Sequence, residues 1–265
     1  MKEVLRISTM AAMFLLLILL LPVAPAAAQA GDSPDKSIDI SGSGTCGASG
    51  FFRFAKDVGS DYKNFFSKET AIWYGAGLAG AGLIHIADDD IREGLLDSVD
   101  PESAALKVGN VYGNLAFQFP LALGWWAAGH AFGSTQAAEA GRDLLRAQIN
   151  AASWTYVFKY TVRRERPNGE PRSFPSGHVS ATFATAMVLQ EHYGWKVGVP
   201  FFLGAGYTAF VRINDDKHWA SDVVFGAAVG LASARTVTLH LRKHKVTLVP
   251  FAVPGGGGIA LLQRN

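Results

Sequence analysis

The sequence predicts an all-α protein, a helical bundle closed by a short C-terminal β-hairpin. Three observations predict it. Hydrophobic residues make up 49% of the 265 positions, and 29 glycines bring the apolar-plus-glycine share to about 60%, above the ~45–50% usual for soluble domains. Charged residues are only 17%, against ~25% in a typical soluble chain. Uncharged stretches recur at 70–87, 108–138, 147–158, 173–190, 197–211 and 223–234, rich in Ala, Leu, Phe and Met and of lengths that suit helices rather than strands. Disordered, collagenous and acidic-tail classes are excluded.

Lys2 and Arg6 precede an apolar run from Met10 to Leu21. Pro22 and Pro25 follow, then Ala28-Gln29-Ala30. A basic start, a short apolar run and an A-x-A site describe a secretory signal peptide over 1–30. The run before Pro22 is short of the ~20 residues an anchor helix needs to span a bilayer. Cleavage after Ala30 removes Lys2, Glu3 and Arg6, so the net charge falls from +2 to +1. Residues 31–50, with Ser41-Gly42-Ser43-Gly44, read as a flexible Gly/Ser-rich leader. One compact domain is expected over 51–245. In its helices Phe183 falls between Val179 and Met187 at the i+4 step that stacks apolar side chains on one face. Ala76 with Gly80, and Gly77 with Ala81, place small residues at helical spacing, which suits membrane packing and tight soluble bundles alike. The tail, 246–265, reads as a hairpin in which Val246–Val249 and Ile259–Leu262 flank Pro254 and four glycines.

A net charge of +2 gives no electrostatic case for nucleic acid. A single cysteine, Cys46, excludes an intrachain disulfide framework and a Cys-rich zinc site. Only 70–87 and 108–138 approach the ~20 uncharged residues of a membrane span, so the expectation is a periplasmic domain that touches the membrane. Asp88-Asp89-Asp90, after His85, lacks the order of a calcium loop and reads as acidic residues at a helix boundary. Trp125 and Trp126 read as core rather than as an interface anchor.

Chemistry concentrates in 159–222. Lys159 and Arg166 lie seven residues apart in a helix-compatible segment, so two turns bring both, with Arg163, to nearly one face before Pro167 ends the helix. Phe174-Pro175-Ser176-Gly177-His178 follows. Pro175 and Ser176 look like a helix start, whose free N–H groups and dipole favour phosphate, and Gly177 permits close approach to the backbone. Arg212, His218 and Asp222 come third. His218 and Asp222 stand at i,i+4, where the carboxylate accepts a bond from the imidazole and leaves its other nitrogen free as a nucleophile. Read singly, each segment has a plain structural alternative: a solvated cationic helix end, a serine cap, a structural His–Asp pair.

Together the three segments resemble the type 2 phosphatidic acid phosphatase (PAP2) and vanadium haloperoxidase superfamily. Its signature is K-x6-R-P, then P-S-G-H, then S-R-x5-H-x3-D. Here Lys159, Arg166 and Pro167, then Pro175, Ser176, Gly177 and His178, then Arg212, His218 and Asp222 match in order and spacing. Val211 replaces the serine before the third-motif arginine. The resemblance implies a PAP2-type helical core over about 70–240 and a metal-independent phosphatase. His218 is then the nucleophile that becomes a phosphohistidine, oriented by Asp222. His178 is the general acid and base, a role that suits a pKa near neutral. Lys159, Arg166, Ser176, Gly177 and Arg212 hold the phosphate, with no metal and no cofactor, and with vanadate as inhibitor. Substrates implied are phosphorylated lipids or small phosphomonoesters. Alternatives on the same fold are a vanadium-dependent haloperoxidase and a non-catalytic lipid- or phosphate-binding protein. Neither the particular ester nor the oligomeric state is legible.

Overall fold

The computed structural model describes residues 48–96, 98–100, 102–239, 245–253 and 256–264. The expected signal peptide, most of the expected leader, Cys46 and Pro254 lie outside them.

Helix α1 (Ala48–Asn64) leads into α2 (Lys68–Ile84), a 3-10 turn at His85–Ala87 and the short α3 (Asp88–Leu95). Then come α4 (Ala104–Gly113), α5 (Leu115–Ala131) and the long α6 (Thr135–Val162). Helices α7 (Gly177–Tyr193), α8 (Trp195–Asn214) and α9 (Ala220–Thr238) complete the bundle. Strands β1 (Lys245–Val253) and β2 (Gly256–Arg264) pair antiparallel, with Leu248 opposite Leu261. The all-α expectation holds for the bundle.

The starts of several helices follow from their sequence. Ser103, Asn114 and Ser134 each accept a bond from a first-turn N–H of α4, α5 and α6, which satisfies one of the donors that a helix start leaves free. Pro120 and Pro200 are the sixth residues of α5 and α8, inside the helices, where each removes one i→i−4 hydrogen bond.

Helix α9 is the centre of the bundle, packed by α2, α6 and α7. It is apolar on every side and buried almost throughout, as a core helix must be. Close approach is achieved with glycine. A Cβ on Gly226 would lie 2.7 Å from the Ser176 carbonyl oxygen, and one on Gly230 would run into that of Ser180. Gly77 meets Ala228 in the same manner, so the small residues of α2 serve its contact with α9. The opposite face of α2 is left uncovered: Ile72, Leu78 and Leu83 are exposed, as is Ile86 just beyond. Leu123, Trp126 and, past the helix end, Phe132 are exposed on or near α5. Trp125 is half-buried and donates to Tyr193 Oη at 2.9 Å. Among the described residues one stretch, Thr70–Leu95, is long and apolar enough to cross a membrane by length and composition, with mean hydropathy 1.2 over its best window.

Candidate active site

Lys159 lies in the last turn of α6, and its Nζ donates to the carbonyls of Arg172 (2.7 Å) and Ser173 (3.2 Å). The helix stops at Val162, earlier than the sequence suggests. Arg163 takes a left-handed conformation (φ 54°) and turns its Nε back onto the Tyr160 carbonyl. Arg163 therefore leaves the face of Lys159, and Arg166 reaches the site from a strap, 163–176, rather than from the helix. The strap is tied by Ser173 N–H to Arg164 O (2.7 Å) and Arg166 N–H to Glu170 O (2.8 Å). These bonds win over continued helix ahead of Pro167, whose ring disfavours the helical region for the residue before it.

Ser176 is the N-cap of α7. Its N–H donates to the Asp222 carbonyl at 3.0 Å, and its hydroxyl is buried with no hydrogen-bond partner. Gly177 and His178 open the helix onto the pocket. Opposite them, Gly113 at the end of α4 makes room for His178: a Cβ there would lie 2.8 Å from the His178 Cβ.

The third segment is folded by one carbonyl. Arg212 O, in the last turn of α8, accepts from both Lys217 N–H (3.2 Å) and His218 N–H (3.1 Å). The guanidinium of Arg212 donates through Nη1 to Asn110 Oδ1 at 2.5 Å, while its Nε is buried without a partner. Val211, at the position of the family's serine, packs its methyls into the notch left by Gly109 on α4.

Asp222 is fully buried. It accepts from Trp219 N–H (2.9 Å), from Arg164 Nη1 (2.9 Å) and, in a short contact, from the Ser173 hydroxyl. His218 Nδ1 stands 3.6 Å from Asp222 Oδ2 and 3.5 Å from Ser173 Oγ. The direct imidazole–carboxylate bond expected from the i,i+4 spacing is thus stretched, because Trp219 N–H and Ser173 draw the carboxylate oxygen to themselves. Such contacts commonly tighten when substrate arrives.

A pocket of about 340 Å³ is lined by Lys159, Arg166, Gly177, His178, Arg212 and His218, with Thr155, Tyr156 and the α4–α5 junction. Ser176 and Asp222 stand behind its wall. Arg166 Nε, like Arg212 Nε, is buried and unpartnered. An outer chamber of about 410 Å³ shares Tyr156, Lys159 and Arg166 with it and adds Tyr160, Glu170, Pro171 and Arg172. Glu170 bonds Arg166 (3.1 Å) and Lys217 (2.9 Å) at this mouth.

The electrostatics follow from burying cations together. Burial, helped by the Arg166 charge, lowers Lys159 to about 8. Burial lowers Arg212 to about 10. His178 is pushed down to about 3 by burial and by Arg212, Arg166 and Lys159, rather than standing near neutral. Burial outweighs the pull of Asp222 and holds His218 at about 3 as well. Burial alone would raise Asp222, but His218, Ser173 and Arg164 keep it ionised below the usual carboxylate range. The site is an array of cations and neutral imidazoles.

Four residues of this arrangement carry no local sequence signal: Ser173, Arg164, Asn110 and Asp88. Asp88 does start a helix, as expected of an acidic boundary residue. It also accepts from Ser221 N–H (2.9 Å), Ser221 Oγ (2.6 Å) and Arg164 Nη2 (2.8 Å). Those partners are over 70 residues away in the chain, which is why sequence alone does not reveal them.

The model of the PAP2 superfamily matches residues 148–245, a segment that contains all three motifs. That segment is a PAP2-superfamily segment. Among curated proteins, the chain is 33% identical over 164 residues to a lipid A 1-phosphatase of Porphyromonas gingivalis, covering 58% of this chain and 35% of that protein. It is 39% identical over 81 residues to a Drosophila melanogaster protein named "Putative phosphatidate phosphatase", covering 26% of this chain and 21% of the other. The chain thus spans about a third or less of the length of these relatives. No solved structure matches.

Proposed function

We propose that this PAP2 protein is an exported, metal-independent phosphatase that hydrolyses lipid phosphates or other phosphomonoesters through a phosphohistidine on His218. The observation that carries the reading is the pocket itself. Two neutral imidazoles, His178 and His218, share it with Lys159, Arg166 and Arg212, and two of its guanidinium N–H groups are buried without an acceptor. A tetrahedral oxyanion supplies what those donors lack.

His218 attacks through Nε2, with Nδ1 turned towards Asp222 and Ser173. The N–P bond forms as the ester P–O bond breaks, and His178 gives a proton to the departing oxygen. A substrate dianion offsets the cations that hold His178 down, so the imidazole takes up its proton as the ester binds. Water then attacks phosphorus, His178 takes a proton from it, the N–P bond breaks, and inorganic phosphate leaves. Lys159, Arg166 and Arg212 bear the charge of the equatorial oxygens in both steps, and such electrostatic positioning dominates phosphoryl transfer.

A lipid substrate is supported by the lipid phosphatases among the relatives and by the uncovered apolar faces of α2 and α5, which suit contact with a membrane surface. The test is a phosphate-release panel of phosphatidic acid, lipid A, isoprenyl diphosphate and soluble monoesters, with and without detergent. Release from lipid esters, with acid-labile radiolabelled phosphate trapped on His218, is the expected result. No release from any ester refutes the reading.

A further inference from the structure

The strap residue Arg164 touches neither the catalytic pocket nor the outer chamber. Its guanidinium nevertheless joins two buried carboxylates from different helices. Nη1 donates to Asp222 Oδ1 at 2.9 Å and to Ser221 Oγ at 2.6 Å, and Nη2 donates to Asp88 Oδ2 at 2.8 Å. Ser221 closes the circuit, with its hydroxyl on Asp88 Oδ2 (2.6 Å) and its N–H on Asp88 Oδ1 (2.9 Å). The guanidinium also lies over the Trp219 ring, 5.2 Å from its centre, and Trp219 N–H is itself on Asp222. Apart from His85, whose Nδ1 lies 3.2 Å from Nη2 and 2.8 Å from Asp88 Oδ2, the side-chain contacts of Arg164 bear on the carboxylate behind the nucleophile or on its neighbours.

We propose that Arg164, anchored by Asp88, is a positioning residue that fixes the Asp222 carboxylate and through it the tautomer of His218. Oδ2 of Asp222 faces His218, Ser173 and Trp219 N–H, and Oδ1 faces Arg164. A carboxylate fastened at Oδ1 by a planar donor cannot rotate Oδ2 away from the imidazole. Asp88 serves as the second anchor because a half-buried guanidinium between two carboxylates is held from both sides. The α2–α3 junction, where Asp88 sits, thereby becomes part of the support of a nucleophile more than 120 residues along the chain.

For its effect on turnover, this role rests on the phosphatase reading, but its first test does not. Nitrogen-15 NMR of histidine-labelled full-length protein reports the His218 tautomer without any reaction. The wild type is expected to hold one tautomer, protonated at Nδ1, and Arg164→Gln to populate both. A single unchanged tautomer in Arg164→Gln overturns the proposal. In kinetics, Arg164→Gln is expected to lower kcat about 10–100-fold, as is usual for groups that orient a catalytic ligand from behind. KM and sulfate affinity should stay within about twofold of wild type, because Arg164 does not face the anion. Arg164→Lys should recover part of the loss. A kcat equal to wild type, or a matching loss of sulfate affinity, overturns the positioning role. Should Arg164→Gln not fold, Asp88→Asn, which leaves the guanidinium in place but loosens its anchor, must shift the tautomer in the same direction. If the wild-type chain releases phosphate from no ester, the phosphatase reading fails while the tautomer measurement still decides the role of Arg164.

Discussion

Gly113→Ala tests whether His178 acts as the proton donor, because it disturbs that residue without removing any chemical group. The new methyl would lie 2.8 Å from His178 Cβ, 2.9 Å from its Cδ2 and 2.7 Å from Thr208 Cγ2. Ordinary contact lies at 3.4–4 Å, so the imidazole must retreat by about 0.6–1.2 Å or α4 must move instead. Overpacking of this kind costs ~1–3 kcal/mol of stability. A displacement near 1 Å at a reacting group costs ~10²-fold in rate. The loss should depend on the leaving group. An alkoxide needs the proton of His178 and a nitrophenolate largely does not. The assay is kcat for an alkyl phosphate and for p-nitrophenyl phosphate on protein shown by its thermal midpoint to be folded at the assay temperature. The expected outcome is a loss of about 10²-fold on the alkyl ester and less than ~10-fold on the aryl ester. Equal losses on both esters, or none, would refute the assignment of proton transfer to His178.

Three further outcomes follow from the same geometry. His218→Ala should abolish turnover and trapped phosphoenzyme with every ester, whereas His178→Ala should spare aryl phosphates more than alkyl ones; phosphate trapped on His178 instead would reverse the two roles. Activity should survive EDTA and fall in vanadate, measured as phosphate release, because Lys159, Arg166 and Arg212 carry the charge that a metal would carry. Sulfate, which stays a dianion, should bind more weakly as pH rises through about 8, where Lys159 loses its proton; calorimetry of Lys159→Gln should show weaker binding and no inflection there.

The helices and the chemistry were legible in different ways. Uncharged stretches such as 173–190 and 223–234 mark α7 and α9 because the middle of a helix buried on all sides carries no charge; the charges of α9, Asp222 and Arg235, stand in its first and last turns. The candidate site residues were legible through the resemblance of their three segments to the PAP2 signature rather than through helix turns: α6 stops before Arg166, and Lys217 and His218 reach the Arg212 carbonyl across a short loop. The end of α6 was not legible. Its stop depends on Arg163 entering the left-handed region and on the strap pairing with itself through Ser173 and Glu170, and nothing in Arg163-Arg164-Glu165 announces that. Asn110, Asp88 and Ser173 were hidden for another reason. Each is an unremarkable polar residue whose role exists only once α4, α3 and the strap are packed against the third motif.

The Arg212 carbonyl that gathers both Lys217 and His218 has a consequence for how such a protein can change. It sets the separation between nucleophile and arginine through the backbone, so that separation does not depend on what the leaving group is. What the outer chamber adds is other material: Tyr160 near the end of α6, and Pro171 and Arg172 on the strap. On the proposed phosphatase reading, substitutions at those three positions would alter the fit of a headgroup while leaving the phosphoryl end untouched. The molecule would then be modular along the axis of the scissile bond, with new ester preferences open to it through a few side chains and no rebuilding of the reacting centre.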